Sequence, residues 1–127
     1  EVDFVLPLDD ALIEGTIDAL VEAPDGAVRV LDYKSGREPS ADALAGYRFQ
    51  VGLYCAAVEA ITGRAPADAA LVLLDARRVE RVDPATEGAR ARAGARETVA
   101  ALAAHDFPRR ADCGRERCPL AHACELA

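Results

Sequence analysis

Asp32 and Lys34 stand two residues apart in Leu31-Asp32-Tyr33-Lys34, and Asp18 closes the earlier run Glu14-Gly15-Thr16-Ile17-Asp18. An Asp-x-Lys pair on its own reads as an exposed, salt-linked patch. It gains chemical meaning if the fold brings the second carboxylate beside it. Two carboxylates held together repel unless something compensates them, and a bound divalent cation is the natural compensation. Hard oxygen ligands with open positions suit Mg²⁺ or Mn²⁺; the former keeps several waters and binds through one or two carboxylates plus phosphate. A metal so held polarises a phosphate and lowers the pKa of an attacking water. A lysine fixed nearby orients that water or stabilises negative charge developing on phosphorus.

The elements that must position these three residues are legible in the chain. Val2 to Leu8 and Leu12 to Glu22 read as strands joined through Asp9-Asp10, and Ala27 to Lys34 reads as a third. Pro24-Asp25-Gly26 suits a three-residue hairpin loop with its glycine in the left-handed position. That loop pairs residues whose numbers sum to about 50, which sets Asp18 opposite Asp32 with Cβ atoms roughly 5 Å apart. The strand period of two puts Lys34 on the same side of the sheet as Asp32. These three strands are expected to form an antiparallel meander.

From Ala41 to Thr62 the pattern is helical, with Leu44, Tyr47, Val51, Tyr54, Val58 and Ile61 forming an apolar stripe. Ser40 is the expected N-cap and Gly63 the stop. Ala69 to Leu74 and Arg78 to Val82 read as two further strands, and Asp83-Pro84 opens an Ala/Arg-rich helix running to about His105. The order of strands, helix, strands, helix implies an α/β sandwich with a mixed central sheet and a single domain over residues 1–127.

Composition bounds the rest. With 127 residues, 51% of them hydrophobic, the chain can build one ordinary core and is not expected to be disordered. It has no apolar run of about 20 residues and no leader-like start, so a soluble, cytoplasmic chain with no membrane contact is expected. The sequence begins at Glu1 without methionine and enters a strand almost at once, so a piece of a longer protein is expected. A formal net charge of −7 weighs against nucleic acid, yet arginines bunch at 77, 78 and 81, at 90, 92 and 96, and at 109, 110, 115 and 117. A solvated face of mixed charge is the plainer reading of each bunch.

Three runs in this order, ending at Asp18, covering Leu31 to Gly36, and covering Gln50-Val51-Gly52-Leu53-Tyr54, resemble the motifs of the RecB-type PD-(D/E)xK nucleases. That family is found in the RecB, AddA and AddB components of bacterial helicase-nucleases. The resemblance implies a restriction-endonuclease-like core, with Asp18 and Asp32 as metal ligands, Lys34 as catalytic lysine, and Gln50 and Tyr54 as a Q-x-x-x-Y pair beside them. Residues four apart share one helix face, so both can reach the sheet, although core packing with a satisfied glutamine is the ordinary reading of such a pair. The resemblance also implies DNA as substrate, a helicase domain in the same polypeptide and a partner subunit. In the family a histidine on an upstream helix completes the metal site, and neither His105 nor His122 stands at that position. A catalytically silent DNA-binding or scaffold domain of the same fold is the alternative reading.

Four cysteines in a chain of this kind read as thiols or metal ligands rather than disulfides. Cys55, inside the helical stripe, reads as a small core hydrophobe. Cys113, Cys118 and Cys124 cluster in the tail, which is similar to that of AddB-like nucleases. That similarity implies a [4Fe–4S] cluster, although the four-residue gap between Cys113 and Cys118 departs from the usual two. Zn²⁺ held by Cys113, Cys118, His122 and Cys124 is the alternative.

Overall fold

The computed structural model describes residues 1–36 and 38–106. Its elements follow in the order β1 (Val2–Leu8), β2 (Ala11–Ile17), β3 (Ala19–Glu22), β4 (Val28–Lys34), α1 (Ala41–Thr62), β5 (Asp68–Leu73), β6 (Arg78–Val82) and α2 (Pro84–Ala103). β1 and β2 pair antiparallel as a separate hairpin, and the remaining strands form one sheet in the order β3-β4-β5-β6. Within that sheet β4 and β5 run parallel while both outer pairs are antiparallel. The α/β architecture with a mixed sheet is therefore the one expected, in one respect rearranged.

The rearrangement is at Asp18. The single strand expected from Leu12 to Glu22 is two strands, because the chain bends at Asp18 and leaves one sheet for the other. The expected meander is accordingly divided between the hairpin and the four-stranded sheet. Beyond the bend the anticipated register holds, with Ala19 against Leu31 and Glu22 against Val28. The turn at Pro24-Asp25-Gly26 fixes it: Gly26 adopts φ 77°, where a side chain would be strained, and its N–H donates to the Ala23 carbonyl at 2.8 Å.

Helix α1 starts and stops where its sequence signals stand. The Ser40 hydroxyl accepts from the Ala43 N–H at 3.2 Å, and Gly63 closes the helix at φ 74° with its N–H bonded to the Glu59 carbonyl. The helix lies over β1, β4 and β5 and packs on its other side against α2. Leu6, Ile17, Val30, Val51, Val58 and Leu71 form the shared core, each worth about 1.5–3 kcal/mol on full burial. Ile61, expected in the apolar stripe, lies past the edge of that core and is 65% exposed. Among the described residues no helix is long and apolar enough to cross a membrane.

The described arginines do not form a free basic surface. Arg78 pairs with Glu38 and Glu80, Arg81 with Asp68, Arg90 with Glu87, Arg92 with Glu59, and Arg96 with Asp9. The mixed-charge reading is the one these bunches follow, and exposed pairs of this kind contribute at most about 1 kcal/mol each.

Candidate metal and catalytic site

The site forms where the bend at Asp18 meets the middle of β4. Alternation along β4 turns Val30, Asp32 and Lys34 to the side facing α1 and leaves Tyr33 on the other, 44% exposed. Asp18 is outside the ladder, so its carboxylate does the work of a ladder carbonyl: Oδ2 accepts the Tyr33 backbone N–H at 2.9 Å. This single bond holds Asp18 beside the peptide that links Asp32 to Tyr33. Placing Asp18 opposite Asp32 by register thus found the right neighbour, while the bend and the bond to Tyr33 were not legible.

Asp32 has no exposed surface and is the one buried charged residue among those described. Burial pushes its carboxyl above the ordinary carboxylate range; the Lys34 ammonium opposes the rise and the charge of Asp18 adds to it. The Lys34 Nζ is 3.0 Å from Oδ1 and 2.8 Å from Oδ2. Only the Oδ1 contact has hydrogen-bond geometry, so Oδ2 stays a buried acceptor satisfied by charge proximity alone. An oxygen left in that state is free to take a cation.

From α1, the Gln50 Oε1 accepts from Lys34 at 3.0 Å, and its Nε2 donates to the Tyr54 hydroxyl at 2.6 Å. This chain of bonds fixes the amide, since only one orientation serves an ammonium and a phenol together. Tyr54 is buried, its ring edge-on to Phe4 with centroids 5.7 Å apart. Burial raises its pKa, the bond from Gln50 opposes this, and the charges of Asp32 and Asp18 add to the rise. The phenol therefore keeps its proton as a donor at neutral pH. The structure thus brings together Asp18, Asp32, Lys34, Gln50 and Tyr54.

Tyr47, which by spacing belongs to the apolar stripe, is a further member of the site. Its ring centroid lies 5.1 Å from the Lys34 Nζ. The signal was present in the sequence, because Tyr47, Gln50 and Tyr54 recur at three and four residues on one helix face. Cys55 stays apart from the site, buried, with its thiol pushed up to about 12 chiefly by that burial. Cys113, Cys118, His122 and Cys124 lie outside the described residues, so the cluster and zinc readings of the tail have no geometry here.

A mixed sheet carrying two acids and a lysine at the bend of one strand and the middle of the next defines a class, and sequence comparison agrees. The chain belongs to the PD-(D/E)XK nuclease superfamily, whose pattern matches residues 1–125. It is 48% identical over 64 residues to the A component of the ATP-dependent helicase/nuclease of Moorella thermoacetica, a match covering 50% of this chain and 4% of that protein. The corresponding component in Pelotomaculum thermopropionicum is 41% identical over 61 residues, 46% of this chain and 5% of that protein. The Gene 69 protein of Mycobacterium phage D29 is 45% identical over 58 residues, 46% of this chain and 19% of that protein. The matches span a small part of each relative.

Proposed function

We propose that this chain is the nuclease module of a larger helicase-nuclease, hydrolysing DNA phosphodiester bonds with a divalent cation held by Asp18 and Asp32. The observation that carries the reading is Asp32: a fully buried carboxylate beside a second one, with one oxygen lacking a hydrogen bond. An uncompensated arrangement of this kind is costly, and a cation relieves it. Among the described residues no group of three or more His, Cys, Asp or Glu side chains converges. The protein would thus supply two carboxylates, leaving the other positions to water and phosphate oxygens, as suits Mg²⁺. When bound, such a cation supplies Lewis-acid polarisation of the scissile phosphate and a water of lowered pKa.

The chain's own residues do the rest. Lys34, fixed by Asp32 and Gln50, presents a positive charge where negative charge develops on phosphorus. Gln50 transmits the position of Tyr54 to Lys34, and the Tyr54 hydroxyl donates toward the reacting phosphate. The names of the two helicase/nuclease relatives support a helicase in the same polypeptide, and with it a cytoplasmic role in processing DNA ends alongside a partner subunit. The cysteine pattern of the tail supports a [4Fe–4S] cluster on Cys113, Cys118 and Cys124, with Zn²⁺ as the alternative.

The test is cleavage of end-labelled linear DNA by the full-length protein with Mg²⁺, with Mn²⁺ and with chelator. Degradation that needs the metal and disappears in Asp32→Ala, with DNA binding retained, is expected. Binding without metal-dependent cleavage in the unaltered protein would instead identify a silent DNA-binding domain.

A further inference from the structure

The Lys34 ammonium rests on three groups of different character: a carboxylate from β4, an amide oxygen from α1, and the face of an aromatic ring one turn earlier on α1. The first is an anion and the other two are neutral. That difference matters because Asp32 has two claimants. If a divalent cation takes its carboxylate, the attraction between Asp32 and Lys34 weakens, and a lysine on a flexible four-carbon stem readily moves away from a weakened partner. The amide and the ring keep their attraction for an ammonium whichever cation Asp32 holds.

We propose that Tyr47 is a positioning residue for Lys34, its ring holding the ammonium in place when a metal occupies Asp32; this rests on the nuclease reading above. The 5.1 Å separation is within the roughly 6 Å over which a ring quadrupole attracts a cation. The ring is itself held, because Tyr47 packs, partly buried, against the core that includes Val51 and Tyr54. It also shares the helix face that carries Gln50, so one rigid element sets both neutral contacts. The contact is made by the ring, so a phenylalanine preserves it and an aliphatic side chain of similar bulk does not.

The experiment places phenylalanine, leucine and a series of progressively fluorinated phenylalanines at position 47 of the full-length protein and measures metal-dependent DNA cleavage. Tyr47→Phe is expected to stay within about twofold of the unaltered protein, and Tyr47→Leu to lose about fivefold in kcat with KM little changed. Across the fluorinated series kcat falls stepwise as electron density is withdrawn from a ring of nearly constant shape. A rate indifferent to fluorination, or a folded leucine variant as fast as phenylalanine, overturns the proposal. A second readout needs no cleavage: the Lys34 Cε protons should resonate upfield of a solvated lysine through the ring current of Tyr47, and lose that shift in the leucine variant. Absence of the shift in the unaltered protein overturns the positioning role. A protein that shows the shift but never cleaves DNA retains the Tyr47 contact and loses the nuclease reading, so the two failures are distinct.

Discussion

Helix α1 meets two neighbours by opposite means. Toward β4 it presents Tyr47, Gln50 and Tyr54, which hold an ammonium and, through it, a buried carboxylate. Toward α2 it presents Gly52 and Cys55, which meet Ala91 and Gly88 at close range. A Cβ added to Gly52 would lie 2.5 Å from the Glu87 carbonyl oxygen, so the helices touch through backbone. The seam is apolar and close-packed, as stability demands. The sheet side keeps a desolvated acid that an apolar residue of similar volume would replace at little cost or with a gain. Retention of polar groups on one face and their exclusion from the other separates a face built for binding and chemistry from one built for packing.

That contrast predicts different casualties on the two sides. The largest effect is expected at Lys34. Lys34→Ala in the full-length protein lowers cleavage by at least about a hundredfold, because the charge acts on the transition state. Its thermal midpoint and DNA affinity stay close to those of the unaltered chain. A calorimetric scan and a binding isotherm run beside the cleavage assay check this, and a collapse in stability equal to the loss in rate would erase the contrast.

Gly52→Val should do the reverse. Forcing the helices apart costs about 1–3 kcal/mol of stability. Cleavage at a temperature well below unfolding is spared, because the contacts to Lys34 come from the other side of α1. Denaturant titration gives the first quantity, and a rate loss without a stability loss would show that the seam transmits to the site.

The smallest effect is expected at Cys55, where at neutral pH nothing should happen. Its thiol is pushed up to about 12 by burial, so the native state withholds the thiolate and alkylation at this position is blocked until the chain unfolds. The folded pKa lies above the ordinary value of 9.0, so the native form binds the extra proton in that interval. Stability therefore falls as pH rises from about 9 toward 12 through this group, and is unaffected by it below. Peptide mapping after iodoacetamide treatment checks the protection. Ready modification of Cys55 in folded protein would mean that the seam opens.

Much of this architecture could be read before any coordinates, and the reasons are local. Ser40 and Gly63 bound α1 because a side-chain oxygen and a left-handed glycine satisfy the helix ends from within a few residues. Pro24-Asp25-Gly26 set the register of β3 on β4 because a short loop leaves little choice of pairing. Alternation then placed Asp32 and Lys34 on one side. Each inference involved a handful of consecutive residues.

What needed the tertiary structure involves partners far apart in sequence. The strand through Asp18 breaks because a carboxylate 15 residues from Tyr33 takes over a backbone bond, a choice that strand propensity does not encode. Ile61 continues the apolar stripe by spacing yet faces water, because the core opposite α1 ends before it. Lys34 meets the Gln50 amide and the Tyr47 ring only because β4 and α1 pack face to face, at a depth and rotation that no single segment specifies. Local sequence determined the types and sides of the residues that do chemistry; packing between segments decided which of them touch, because contact distances depend on the whole core rather than on the period of any one element.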